Sequence, residues 1–145
     1  MRTTRGSAIV DSDLQHRVSS IAEAHGLAFV LIFGSASKGL AGPLSDVDVA
    51  VYMKVAPSDE GLLRLQANLT AKFIEVFKRN DVDLVIINSA PCRLRYEAVR
   101  TGVPVYLEDP KLFAKVFTQI VDEYLDFRPY LSVHYAAARR YFGLM

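Results

Sequence analysis

Residues 27–53 read LAFVLIFGSASKGLAGPLSDVDVAVYM, and this stretch decides the architecture. Ala28 to Phe33 is a continuous apolar run, rich in β-branched and aromatic residues, which predicts a buried strand. Gly34 to Leu44 is dense in Gly, Ser and Pro and predicts a turn, a short helix and a loop. Asp46 to Met53 predicts a second strand, with polar and apolar residues alternating at its start.

The pattern extends in both directions from there. Upstream, Asp11 or Ser12 can cap a first helix whose apolar face is Leu14, Val18, Ile21 and Ala22, and Gly26 ends it. Downstream, Ser58 opens a long helix to about Arg79, with a stripe of Leu62, Leu65, Leu69, Phe73, Val76 and Phe77. Val82 to Ile87 predicts a third buried strand. Pro91 sits near the start of a helix that Gly102 stops, and Val103 to Leu107 predicts a fourth strand. Asp109-Pro110 combines a cap with a first-turn proline, and the following helix carries Leu112, Phe113, Val116, Phe117, Ile120, Val121 and Tyr124. Pro129 is expected to break it before a last helical segment through Tyr135 to Phe142. The expected fold is a single α/β domain over residues 1–145, with a small mixed sheet of about four strands and flanking helices. The strand order does not follow from the pattern.

Composition narrows the function classes. The net charge is +1 with no long run of like charges, so no basic stripe offers itself to a nucleic-acid backbone. A small charged substrate or a protein partner fits better. The longest apolar run, Leu27 to Phe33, is too short to span a bilayer, so no membrane association is expected. The residues from Met1 to Asp13 carry Arg2 and Arg5 with no apolar stretch behind them, unlike a signal peptide. Cys92 is the sole cysteine, which suits a reducing compartment. A cytoplasmic location is expected.

Asp46 and Asp48 are two apart on a predicted strand, so both carboxylates project from one face while Val47, Val49 and Val51 point into the core. Like charges about 4 Å apart repel by roughly 1 kcal/mol in water and about 4 kcal/mol at an effective dielectric near 20. A hard divalent cation with oxygen ligands is the natural compensation. Asp83 lies between Val82 and Leu84 at the start of the third strand. Facing the first two, it would complete a two-metal site of the kind that activates an attacking oxygen and stabilises a leaving one. Asp81 could share that face, but Asn80-Asp81 reads as the turn before the strand. Gly34-Ser35 follows directly on a buried strand. Glycine there lets backbone approach a ligand, and a helix starting at Ser35 would offer free N–H groups and a hydroxyl to phosphate. Each piece has a plainer reading, since Gly-Ser pairs are common turns and an Asp can simply start a strand. In combination they suggest a metal-bound nucleoside triphosphate.

Gly34-Ser35, ten residues, then Asp46-Val47-Asp48 resembles the signature of the polymerase-beta-like nucleotidyltransferase superfamily. The short chain is similar, over nearly its whole length, to the minimal nucleotidyltransferase (MNT) proteins. The resemblance implies the nucleotidyltransferase fold, ATP as substrate and two magnesium ions held by Asp46, Asp48 and Asp83. The third acid also helps to deprotonate the nucleophile. It assigns triphosphate binding to Gly34 and Ser35, with Lys38 and Ser45 as further nucleotide-binding residues. Relatives often carry an arginine directly after the Gly-Ser pair, where this chain has Ala36, so the triphosphate grip shifts toward Lys38. For Lys38 the plain alternative is a solvated loop lysine.

Minimal proteins of this type resemble the antitoxins of HEPN–MNT toxin–antitoxin pairs, in which the MNT protein moves AMP from ATP onto a tyrosine of a helical HEPN RNase. The implied partner is such a toxin, in a hetero-oligomer, whose gene would encode a small helical protein with an Arg-x4-His motif. Two other functions fit the same residues: an antitoxin that neutralises by binding alone, and an enzyme acting on a small-molecule hydroxyl. His16, His25 and His134 share no metal-ligand spacing. Cys92 lies near a helix start, which can lower a thiol pKa, but no spacing ties it to a histidine base, so it reads as packing. Tyr124, Phe127, Tyr130, Tyr135, Tyr141 and Phe142 form either a packed amphipathic helix or, with Arg128, Arg139 and Arg140 among them, a partner surface. No P-loop or dinucleotide-binding glycine motif is present.

Overall fold

A computed structural model describes residues 12–34 and 47–142, and for residues 128–142 it gives the course of a helix without side-chain detail. The elements are α1 (Ser12–His25), β1 (Leu27–Phe33), β2 (Val47–Met53), α2 (Asp59–Phe77), β3 (Val82–Ile86), α3 (Cys92–Thr101), β4 (Val103–Leu107) and α4 (Pro110–Phe142). A 3-10 turn at Ile87–Ser89 follows β3. The short helix expected within residues 34–44 lies outside the described residues.

The sheet order is β3-β2-β1-β4. β1 runs antiparallel to both β2 and β4, whereas β2 and β3 are parallel, so the sheet is mixed as expected. Alternation sorts the side chains onto two apolar layers. Val47, Val49 and Val51 face a core built with Leu14, Val18 and Ala22 of α1 and Leu69 and Phe73 of α2. Phe29, Leu31, Phe33 and Ala50 face the other core, with Ala98 and Val99 of α3 and Val116 and Ile120 of α4. Every residue of β1 is buried, which accounts for its unbroken apolar sequence.

Local chemistry sets most boundaries. Gly26 adopts φ +69 after α1 and its carbonyl accepts from Lys54 N–H at 3.0 Å. The Ser58 hydroxyl caps α2 by accepting from Gly61 N–H at 3.2 Å. Lys78, left-handed at φ 57, closes α2 slightly earlier than expected, its N–H returning to the Ile74 carbonyl. β3 stops at Ile86 rather than Ile87, because Asn88 turns its side-chain amide onto the end of β2. It accepts from Met53 N–H at 2.8 Å and donates to Met53 C=O at 3.0 Å. A side chain thus replaces the next backbone rung.

The expected break at Pro129 is not observed: α4 continues through it to Phe142. Proline removes one N–H and crowds the preceding turn, at a cost of about 3 kcal/mol. The loss is local, and the turns on either side keep their own i to i−4 bonds. A helix already nucleated over the preceding five turns propagates past a single missing bond.

Candidate active site

One end of the sheet gathers the end of β1 and the starts of β2, β3 and β4. The parallel register pairs Asp48 with Asp83, so the two carboxylates occupy neighbouring positions on the same face. The antiparallel register pairs Asp48 with Phe33 on its other side, directly before Gly34. Asp48 is half-buried and Asp83 exposed, so the pair opens from the sheet edge toward solvent. Their faces are fixed by their apolar neighbours: Val47 and Val49 on β2, and Val82 and Leu84 on β3, fill the opposite core and leave the acids no other direction.

Gly34 is fitted against Asp48. It has φ +75, and a Cβ there would lie 2.5 Å from Asp48 Oδ2. Only a residue without a side chain allows that carboxylate to lie against the backbone at the end of β1. Gly34 N–H donates to Thr101 Oγ1 at 3.3 Å, and that hydroxyl donates to the Glu97 carbonyl at 2.9 Å. Thr101 ends α3, next to Gly102, where a Cβ would overlap the Ala98 carbonyl and lie 2.9 Å from Leu31 Cδ1. The C-terminus of α3 is therefore seated tightly on β1. Nothing in the sequence pattern singles out Thr101; its only trace is a hydroxyl residue directly before a helix-stopping glycine.

Asp81, the competing third acid, is engaged elsewhere. Arg79 donates from Nε to Asp81 Oδ1 at 2.8 Å and from Nη2 to Oδ2 at 2.6 Å. This bidentate pair holds the Asp81 carboxyl below its ordinary pKa. The Asp81 carbonyl also accepts from Val47 N–H at 2.9 Å, tying the turn before β3 to the start of β2. Asp46, Ser35, Lys38 and Ser45 lie outside the described residues.

Asp48 and Asp83 supply oxygen donors from adjacent strands, the donor type that a hard divalent cation takes. Among the described residues no cluster of three or more His, Cys, Asp or Glu could hold a metal. The donor set fits magnesium in kind, and the sequence places Asp46 two positions before Asp48. His16 and His25 both sit on α1, away from the carboxylate pair in the sheet.

The chain belongs to the polymerase beta nucleotidyltransferase family, whose model matches residues 16–111. That span runs from α1 to the start of α4 and contains every element of the site. No curated protein matches the chain in sequence. Among solved structures, it is similar to a chain of a toxin–antitoxin crystallised with AMP-PNP, with TM-score 0.65 and 21% identity over 88% of this chain and 94% of that one. A chain of the MntA–HepT toxin–antitoxin matches with TM-score 0.58 and 20% identity, over 91% and 95%. A third likeness is to a chain in the complex of a tri-AMPylated Shewanella oneidensis HEPN toxin with its MNT antitoxin. Its TM-score is 0.54 and its identity 20%, over 89% and 92%. At these identities the likeness is one of fold. No helix among the described residues is long and apolar enough to cross a membrane.

Proposed function

We propose that this chain transfers AMP from ATP to a tyrosine hydroxyl of a HEPN-type helical RNase and so acts as its antitoxin in the cytoplasm. The observation that carries the reading is the register that seats Asp48 beside Asp83, with the Gly34 backbone against Asp48. A nucleotidyltransferase needs carboxylates and a close backbone approach at one place, and this sheet edge brings them together. The toxin–antitoxin structures of similar fold support the partner class, one holding AMP-PNP and another an AMPylated HEPN toxin.

In this reading Gly34 and Ser35 hold the triphosphate through backbone N–H groups and a hydroxyl, with Lys38 and Ser45 adding to the grip. Asp46, Asp48 and Asp83 would hold two magnesium ions, which supply charge neutralisation at the phosphates and activation of the attacking oxygen. A tyrosine hydroxyl has a pKa near 10, so at neutral pH it needs a base to become a good nucleophile. Asp83 stands on its own strand and is exposed, so it can receive that proton from the acceptor side. The phenolic oxygen forms a bond to the α-phosphorus, the bond from that phosphorus to the bridging oxygen breaks, and pyrophosphate leaves with the electron pair. In-line placement of donor and acceptor supplies much of the acceleration.

The test is incubation of the chain with labelled ATP, magnesium and the helical protein encoded beside it, read by partner mass. Asp46→Asn with Asp48→Asn is expected to abolish transfer while the apo fold stays intact or gains stability, since like-charge repulsion is relieved. Asp83→Asn is expected to keep most of the Mg–ATP affinity in calorimetry yet lose transfer by orders of magnitude, as for an interaction made mainly in the transition state. Normal transfer in the double variant would remove these acids from the mechanism. A variant that adds no AMP yet neutralises its partner at equal molar ratio would establish occlusion as the mode of action.

A further inference from the structure

We infer that Thr101, a residue outside the carboxylate set, is a positioning residue that sets the phosphate-facing turn at Gly34. The inference rests on the nucleotidyltransferase reading for its purpose and on the hydrogen bonds of α3 for its geometry. Three observations converge. The Thr101 hydroxyl is oriented by its own bond to the Glu97 carbonyl at 2.9 Å, which points its oxygen lone pairs away from the helix. That oxygen receives Gly34 N–H at 3.3 Å across a sequence separation of 67 residues. The hydroxyl is held in place because Gly102 presses the end of α3 onto Leu31 of β1, leaving no room for a side chain between them.

The consequence reaches the site through Gly34. Its left-handed conformation turns the chain at the end of β1, and its lack of a Cβ leaves the space that Asp48 Oδ2 occupies. With its N–H pinned to α3, Gly34 holds one orientation beside the Asp48 carboxylate as a charged ligand arrives. Without the pin, that orientation must be fixed each time nucleotide binds, and the cost appears as weaker binding. Thr101 touches neither substrate nor metal in this scheme; it acts through Gly34.

Two substitutions separate positioning from packing. Thr101→Val keeps the shape and removes the hydroxyl; Thr101→Ser keeps the hydroxyl and removes the methyl. Two measurements are made on the intact chain: hydrogen exchange of the Gly34 amide by NMR, and the Kd for Mg–ATP by calorimetry. Thr101→Val is expected to speed Gly34 exchange and to raise the Kd, each by about 2- to 10-fold, the range for one hydrogen bond. Thr101→Ser is expected to leave both near wild type. Unchanged Gly34 exchange in Thr101→Val would overturn the pin itself. Faster exchange with an unchanged Kd would overturn its role in positioning, as would a loss in Thr101→Ser equal to that in Thr101→Val, which marks packing. Failure of the wild-type chain to bind Mg–ATP would overturn the nucleotidyltransferase reading and the positioning role together, and Gly34 exchange would still report whether the pin exists.

Discussion

Gly34 and Asp48 share one small volume, and each explains the other. The carboxylate occupies the place where any other residue at position 34 would put its Cβ, and φ +75 is a conformation that L-residues adopt at a cost. Gly34→Ala is therefore expected to lower stability by about 1–2 kcal/mol from backbone strain alone. It should lower AMP transfer far more, because Asp48 must rotate away from its seat. Chemical denaturation beside a transfer assay separates the two effects; equal losses in both would mean that Gly34 serves the fold only. Cys92 teaches a different lesson at the same scale. Its place at the first turn of α3 is one that can lower a thiol pKa. Burial, helped by the charge of Glu123, pushes its pKa up instead. Desolvation outweighs the opposing charge of Arg95 there, so the thiol is held in its neutral form.

Elements bring their own constraints. The turn from α2 into β3 is clamped by Arg79 on Asp81, and the same residue's carbonyl anchors the start of β2. Because Arg79 lowers the folded pKa of Asp81, the contribution of this carboxylate to stability is fully present above its unfolded value, about pH 4. It fades as pH falls through the lower folded value. The stability gap between wild type and Asp81→Asn, which retains the carbonyl, is expected to be flat from neutral pH to about pH 4 and to close below it. Urea titrations across that window check the sign; a gap that widens on acidification would contradict the clamp. In α4, Tyr124 stacks on Tyr96 of α3 at 3.9 Å between ring centroids, so this member of the aromatic series packs against its own chain. Phe127, a few residues on, is 39% exposed. The aromatic residues beyond it lie where side chains are not described.

At the scale of the molecule, a single four-stranded sheet serves two apolar layers, with α1 and α2 on one side and α3 and α4 on the other. The carboxylate face is the α3–α4 face, so the layer under α1 and α2 carries the fold without touching the site. Phe73, fully buried in that layer, tests the separation. Phe73→Ala is expected to cost about 3–5 kcal/mol through lost burial and a cavity. Mg–ATP affinity of the molecules that remain folded should stay close to wild type. A large loss of stability combined with a large loss of affinity in the folded fraction would show that the two layers are coupled across the sheet.

Local sequence was enough to place the elements and to single out much of the candidate chemistry. Apolar runs, caps and stop signals are local, because a few neighbouring residues decide the energy of a turn or a helix end. Leu27 to Phe33, the Ser58 cap, Gly102 and Val103 to Leu107 were all legible in this way. So were the spacing of Asp46 and Asp48 and the Gly34-Ser35 pair, since side-chain alternation is a property of any strand. The strand order was decided by tertiary structure, and with it the parallel register that brings Asp83 to Asp48 across 35 positions of chain. The same holds for the clamp that occupies Asp81 and for the Asn88 amide that ends β3. Helix α4 passes Pro129 where local rules predicted a break. Thr101 shows in the sequence only as a hydroxyl residue before a helix-stopping glycine, because its partner Gly34 is 67 residues away. Contacts between distant residues depend on how whole layers pack, and that energy is shared by the molecule rather than written in any one stretch of it.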